Sequence, residues 1–358
     1  MADMKKLALT LALCASMAGV RAADYPEPMQ GDFVLKDFRF ASGQTMPELR
    51  IHYRTLGKPQ RDKQGTVTNA VLITHGTGGS GTQFLRPEFA GDLFVPGGML
   101  DAQRYYIILT DGIGHGNSSK PSDGLHARFP HYGYRDMVDA QHRLLLEGLK
   151  VNHLRLVMGT SMGGMQSWVW GERYPDFMDA LMPLASLPDQ ISGRNRVWRK
   201  TVIDAIRHDP SWQGGDYAQQ PQSLRTAEEM LYFMGSNPML RQQATPTLAA
   251  TDAALDKYVE EGMRHGDAND LLYQLEASHD YDPAPELEKI RVPLLAVNSA
   301  DDLINPPELG ILEKGIKRVA KGRAIVLPYT PETRGHGSHT VAALWKQYLQ
   351  QLLEQTAK

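Results

Sequence analysis

Ser161 sits between Gly159 and Gly163 in the stretch LRLVMGTSMGGMQSW, residues 154–168. A serine hydroxyl becomes a useful nucleophile only when a base removes its proton and an acid orients that base. The chain supplies both downstream, in that order: the adjacent carboxylates Asp301 and Asp302, then His336 between Gly335 and Gly337. Upstream lies His75-Gly76-Thr77-Gly78-Gly79, a turn whose glycines let backbone come close to a reacting group. The N–H groups of Thr77 and of Met162, the residue after the serine, are the expected donors to an oxyanion. Together these residues point to acyl transfer through a covalent serine intermediate.

Such side chains must converge from distant parts of the chain, so the elements that carry them matter. Residues 70–74 (AVLIT), 105–109 (YYIIL), 154–158, 180–185, 293–298 and 324–328 are apolar runs that suit buried parallel strands. Residues 33–40 and 49–56 alternate apolar and polar positions, as a half-solvated antiparallel start would. Residues 134–150 have helical spacing, and so do Val341, Leu344, Trp345, Tyr348, Leu349, Leu352 and Leu353 near the end. The pattern predicts an α/β fold, a mostly parallel central sheet flanked by helices. Residues 188–287 hold no buried-strand run and are expected to form a helical lid inserted into it. The expected organisation is 1–22 a signal peptide, 23–187 the first part of the core, 188–287 the lid, and 288–358 the second part of the core.

In this frame Gly-x-Ser-x-Gly falls between a strand and a helix. The turn there is sharp, and only very small side chains fit two residues to either side of the serine. Each further candidate also follows a predicted strand: Thr77 after residues 70–74, the Asp301-Asp302 pair after 293–298, His336 after 324–328. His115, in DGIGHGNSSKP after another strand, suits a loop-shaping role better than that of a second base.

With 358 residues, 42% of them hydrophobic, the chain can bury a large core. A net charge of −3 without any long basic block argues against nucleic acid as a partner. Lys5 and Lys6, an apolar stretch from Leu7 to Val20, and Val20-Arg21-Ala22 before Ala23 have the order of a cleaved secretory signal. The stretch is short for a membrane span. The expected location is therefore periplasmic or secreted, with no membrane attachment after cleavage. Cys14, the single cysteine, lies inside that segment, so the mature chain would have neither a disulfide nor a thiol nucleophile. No metal-ligand cluster or phosphate-cradling loop is visible, and no cofactor is expected.

At these residues the chain resembles the α/β-hydrolase family, and within it the homoserine O-acetyltransferase-like branch. The marks are Gly-Thr-Ser161-Met-Gly-Gly-Met-Gln, Asp267-Ala-Asn-Asp-Leu-Leu-Tyr, and Asp301-Asp-Leu-Ile-Asn-Pro. The resemblance implies that Asp301, two residues before Leu303, is the triad acid, with Asp302 the alternative. It also implies a helical lid and a homodimer joined through it. The chain departs from that branch where acceptor-holding groups stand. Gly337 replaces an acid after the histidine, His265-Gly266 replaces Arg-Phe, and the run around His115 replaces a Gly-Ser-Thr-Gly-Pro loop. The expected activity is that of an exported serine hydrolase acting on a small-molecule acyl ester, thioester or amide. An O-acyltransferase and a non-catalytic binding protein on the same fold are the alternatives.

Overall fold

The computed structural model describes residues 25–235 and 237–357. The predicted signal segment lies outside the described residues.

The first element among the described residues is a long hairpin, β1 (Met29–Arg39) and β2 (Thr45–Leu56), paired antiparallel with Leu35 opposite Leu49. β3 (Ala70–Thr74), a short α1 (Ala90–Leu93) and β4 (Tyr106–Thr110) follow. Next come α2 (Tyr134–Arg143), β5 (Leu156–Thr160), α3 (Met162–Arg173) and β6 (Leu181–Leu184). The last strands are β7 (Leu294–Ser299) and β8 (Gly322–Leu327). The sheet has eight strands in the order β1-β2-β4-β3-β5-β6-β7-β8. β3 through β8 run parallel, and β2 joins them antiparallel through β4.

Every residue of β3, β4, β5, β6 and β7 is buried, which is why these strands read as unbroken apolar runs. One face of the sheet packs on α2 and α3 through residues such as Met137, Trp168 and Trp170. The other packs on Phe84, Phe89, Phe94, Trp345 and Leu349. Between β6 and β7 the chain is helical: α4 (Gly193–His208), α5 (Ser223–Met234), α6 (Pro238–Ala244), α7 (Leu248–His265) and α8 (Ala268–Glu276). Trp198, Val202, Leu224 and Leu272 of these helices share one continuous core with α2 and α3. α9 (Ile311–Ile316) precedes β8, and α10 (Lys346–Gln355) closes the fold.

Two helices differ from the sequence reading. The segment expected as one helix over 134–150 is α-helical to Arg143 and widens into a π turn over Leu144–Gly148. The last helix begins at Lys346, after a separate 3-10 turn over Ala342–Leu344. The break has a cause: the Ala342 N–H bonds to the Glu88 carbonyl (2.9 Å), and the buried Trp345 indole N–H bonds to the His339 carbonyl (3.1 Å). These long-range bonds override helical spacing over the first turn.

The tightest joint lies where β5 passes into α3. A methyl group on Gly163 would sit 1.9 Å from the Thr74 carbonyl oxygen, and one on Gly159 would sit 2.3 Å from Gly163 itself. Gly163→Ala is therefore expected to lower unfolding free energy by more than about 2 kcal/mol, read from the urea midpoint. Gly91→Ala meets nothing within 4 Å and should change it by less than about 0.5 kcal/mol.

Candidate active site

The backbone at the joint determines the site. Ser161 has φ 56° and ψ −113°, a left-handed φ that is strained for a residue with a side chain. Its N–H is held by the Leu184 carbonyl on β6 (2.9 Å), and its carbonyl accepts from the Met165 N–H (2.8 Å). The strain lifts the hydroxyl off the C-terminal edge of the sheet. Met162 opens α3, so its N–H is among those without an intrahelical acceptor.

His336 reaches the serine from the loop after β8. Its Nε2 lies 2.9 Å from Ser161 Oγ and its Nδ1 lies 2.8 Å from Asp302 Oδ2. Asp302, not Asp301, is thus the carboxylate on the histidine. Asp302 is 1% exposed and also accepts from the Ile304 and Asn305 N–H groups (2.8 and 3.1 Å). Burial pushes its carboxyl up, but the His336 charge and hydrogen bond and the two backbone donors outweigh this and hold it below the ordinary carboxylate value.

The reason for the one-residue correction is the end of β7. The Ala300 N–H bonds to the Leu327 carbonyl (2.9 Å), and the Asp302 N–H turns back to the Ser299 carbonyl (3.2 Å). The two neighbouring side chains consequently diverge. Asp301 accepts from Gly335 N–H (2.9 Å), Thr333 Oγ1 (3.1 Å) and Asn237 Nδ2 (2.5 Å). It fastens the histidine loop to β7 and to the start of α6, where the Asn237 side chain also caps the helix.

Thr77 lies on the wall of the same cleft as Ser161 and His336, which has a volume of about 760 Å³. A methyl group on Gly76 would lie 3.5 Å from Ser161 Cβ, so this turn runs directly beside the nucleophile. Groups that sequence reasoning missed hold the turn. Gln83 Nε2 donates to Thr160 Oγ1 (2.9 Å). His75 donates from Nδ1 to the Gly76 carbonyl (2.8 Å) and accepts at Nε2 from the Gly112 N–H (2.9 Å). Asp111 accepts from the Gly81 N–H (2.7 Å) and from buried Arg54 (2.8 Å). Arg54 and Asp111 are 57 positions apart, and no local spacing marks them as partners. His115 is buried, with Nδ1 donating to the Ile113 carbonyl (2.9 Å), and burial pushes it down to about 3. It is neutral and shapes its loop. His339 packs edge-on against His336, and burial likewise pushes it down to about 3.

A family model described as the alpha/beta hydrolase fold matches residues 69–327. The chain belongs to the α/β-hydrolase family. Within it the chain falls in the homoserine O-acetyltransferase-like branch. A probable acyltransferase of Methanothermobacter thermautotrophicus is 30% identical over 77% of this chain and 84% of its own length. A homoserine O-acetyltransferase of Chlorobaculum parvum is 35% identical over 54% of this chain and 55% of its own length. Among solved structures, esterase E22 superposes with a TM-score of 0.79 at 20% identity, covering 91% of this chain and 100% of that one. The chain is an enzyme of this fold; the sequence relatives are named as acyltransferases, and the solved structure of the same fold as an esterase.

Asp302→Asn is expected to lower kcat by about 10³-fold or more, because it disturbs the tautomer and charge of His336. Asp301→Asn should leave kcat within about tenfold while lowering Tm, since it loosens a loop rather than the relay. Steady-state kinetics and thermal melts of the two variants separate these roles.

Proposed function

We propose that the protein is an exported serine hydrolase that cleaves a carboxylic ester. The observation that carries this reading is the unbroken path from Asp302 Oδ2 through His336 to Ser161 Oγ, 2.8 and 2.9 Å, opening on the cleft. Ser161 Oγ attacks the carbonyl carbon and its proton passes to His336 Nε2. Asp302 keeps the Nδ1–H donated and stabilises the imidazolium. The Thr77 and Met162 N–H groups receive the oxyanion. His336 returns the proton to the leaving oxygen, and water repeats the sequence on the acyl-enzyme.

Water is favoured as acceptor by what surrounds His336. In the branch this chain resembles, an acid follows the histidine and an Arg-Phe pair stands where His265-Gly266 stands here. Gly337 has no side chain, and a methyl group there would meet only Arg334 Cβ, at 3.6 Å. Without the acid and the arginine at those two positions, the cleft gains less there from burying an ammonium or a carboxylate. Export is read from the Lys5–Ala22 pattern before Ala23, and an exported enzyme would have little access to acyl-CoA, which favours water. The second reading, an O-acyltransferase, is favoured by the names of the two sequence relatives.

Acetyl release from p-nitrophenyl acetate, with and without homoserine, separates the two. The hydrolase reading expects acetate as the product at a rate homoserine barely alters. A site built for homoserine would favour it by roughly 10⁴-fold, and dominant O-acetylhomoserine would overturn the proposal. For export, intact-mass analysis of the extracytoplasmic fraction should find a chain beginning near Ala23, and a full-length cytoplasmic product would contradict it.

A further inference from the structure

The face of α5 that lines the cleft carries one acid among apolar residues. Leu224, Glu228, Leu231 and Met234 recur at helical spacing, so they share one side of α5, and all four line the cleft that holds Ser161. Glu228 is 9% exposed. Neither of its carboxyl oxygens has a hydrogen-bond or ion-pair partner among the described residues, and neither is among the polar atoms enclosed without one. Both oxygens therefore keep some accessible surface, and the opening that Glu228 lines is the cleft. The neighbouring helix makes room for them. Gly262 lies inside α7, where glycine costs about 1 kcal/mol relative to alanine. A methyl group there would lie 2.4 Å from Glu228 Cδ, and one on Gly266, just past the same helix, would lie 3.4 Å from Oε1.

The other charged groups of the cleft are engaged elsewhere. Asp270 accepts from the Ser122 N–H and hydroxyl (2.8 and 2.7 Å), and Asp267 caps α8. Lys120 pairs with Asp123 (2.9 Å), and His265 lies 3.2 Å from Glu261. Arg199 donates from Nε to Asn195 Oδ1 (3.2 Å). Burial alone pushes the Glu228 carboxyl up, and no cation among the described residues acts against it. A buried carboxylate without a counter-charge is costly, and native structures normally pair it. Water entering from the cleft, or a substrate hydroxyl, can donate to the oxygens but brings no charge. A protonated amine brings both the charge and up to three N–H donors.

We infer that Glu228 anchors a cation subsite in the cleft, so that the preferred substrate is an ester bearing a protonated amine. This rests on reading the cleft as an ester-processing site. Leu224, Leu231 and Met234 on the same face suit the carbon skeleton that joins the amine to the ester. The amine can belong to the acyl part or to the alcohol part.

Two matched pairs distinguish these sources, each setting an aminomethyl group against an ethyl group. They are p-nitrophenyl 4-(aminomethyl)benzoate against p-nitrophenyl 4-ethylbenzoate, and 4-(aminomethyl)phenyl acetate against 4-ethylphenyl acetate. In one pair the ammonium ester should have the higher kcat/KM, by at least about 10-fold. Glu228→Gln should reduce that ratio by about 10-fold or more, and Glu228→Asp should restore part of it, having the charge on a shorter stem. A ratio that Glu228→Gln leaves unchanged would overturn the subsite. If that variant does not fold, competition decides: benzylammonium should inhibit wild-type turnover of p-nitrophenyl acetate at least about 10-fold more strongly than benzyl alcohol, and equal inhibition would overturn the subsite. Equal rates within both pairs would also overturn it, while p-nitrophenyl acetate turnover left the hydrolase reading standing. If no ester is turned over, the hydrolase reading fails, and calorimetric titration with benzylammonium decides the subsite alone. Saturable binding lost in Glu228→Gln supports it, and absence of binding overturns it.

Discussion

The site depends on one packing constraint, the contact of Gly163 with the Thr74 carbonyl across the β3–β5 pair. Because no side chain can stand at Gly159 or Gly163, the chain turns from strand to helix within a single residue. That residue is Ser161, and its φ of 56° carries a strain of about 1–3 kcal/mol. The buried strands on either side and the wholly buried first turns of α3 hold it there. The same closeness puts the Gly76-Thr77 turn beside the serine, so the nucleophile and that turn are placed by a single contact. Loosening it would separate them together.

The second half of the relay is built from adjacent carboxylates with opposite tasks. Asp302 is buried and faces inward, holding the imidazole in the tautomer that leaves Nε2 free to take the serine proton. Asp301 faces the loop. It ties down Gly335, whose φ of 58° lets the chain turn just before His336, and it meets Asn237 at the start of α6. The helices inserted after β6 are thereby connected to the histidine loop by a side-chain bond as well as by the shared core.

Much of this was legible in the sequence because the responsible signals are local. Buried parallel strands have no polar face, so residues 70–74 and 154–158 stood out as apolar runs, and the strands there are Ala70–Thr74 and Leu156–Thr160. The glycines around Ser161 mark a steric requirement that few other residues can meet. The order of serine, carboxylate and histidine, each after a strand, placed the partners to within one residue. What local pattern could not decide was direction: Asp301 and Asp302 differ only in how the backbone turns after Ser299, and that turn is made by bonds to Leu327 and Ser299. Arg54 with Asp111 and Gln83 with Thr160 stayed hidden for a related reason. Each joins residues dozens of positions apart, through side chains whose types occur everywhere on protein surfaces. The start of the last helix was misread because tertiary bonds to Glu88 and His339 outweighed helical spacing.

The central claim is that one hydroxyl, Ser161 Oγ, is activated by His336 and Asp302 to form a covalent acyl-enzyme. Reaction of the folded protein with a fluorophosphonate, followed by intact and peptide mass spectrometry, tests it directly. The account predicts one adduct per chain, located on Ser161, formed rapidly by the wild type and far more slowly by His336→Ala. An adduct on another residue, or labelling of Ser161 that is indifferent to His336, would contradict it.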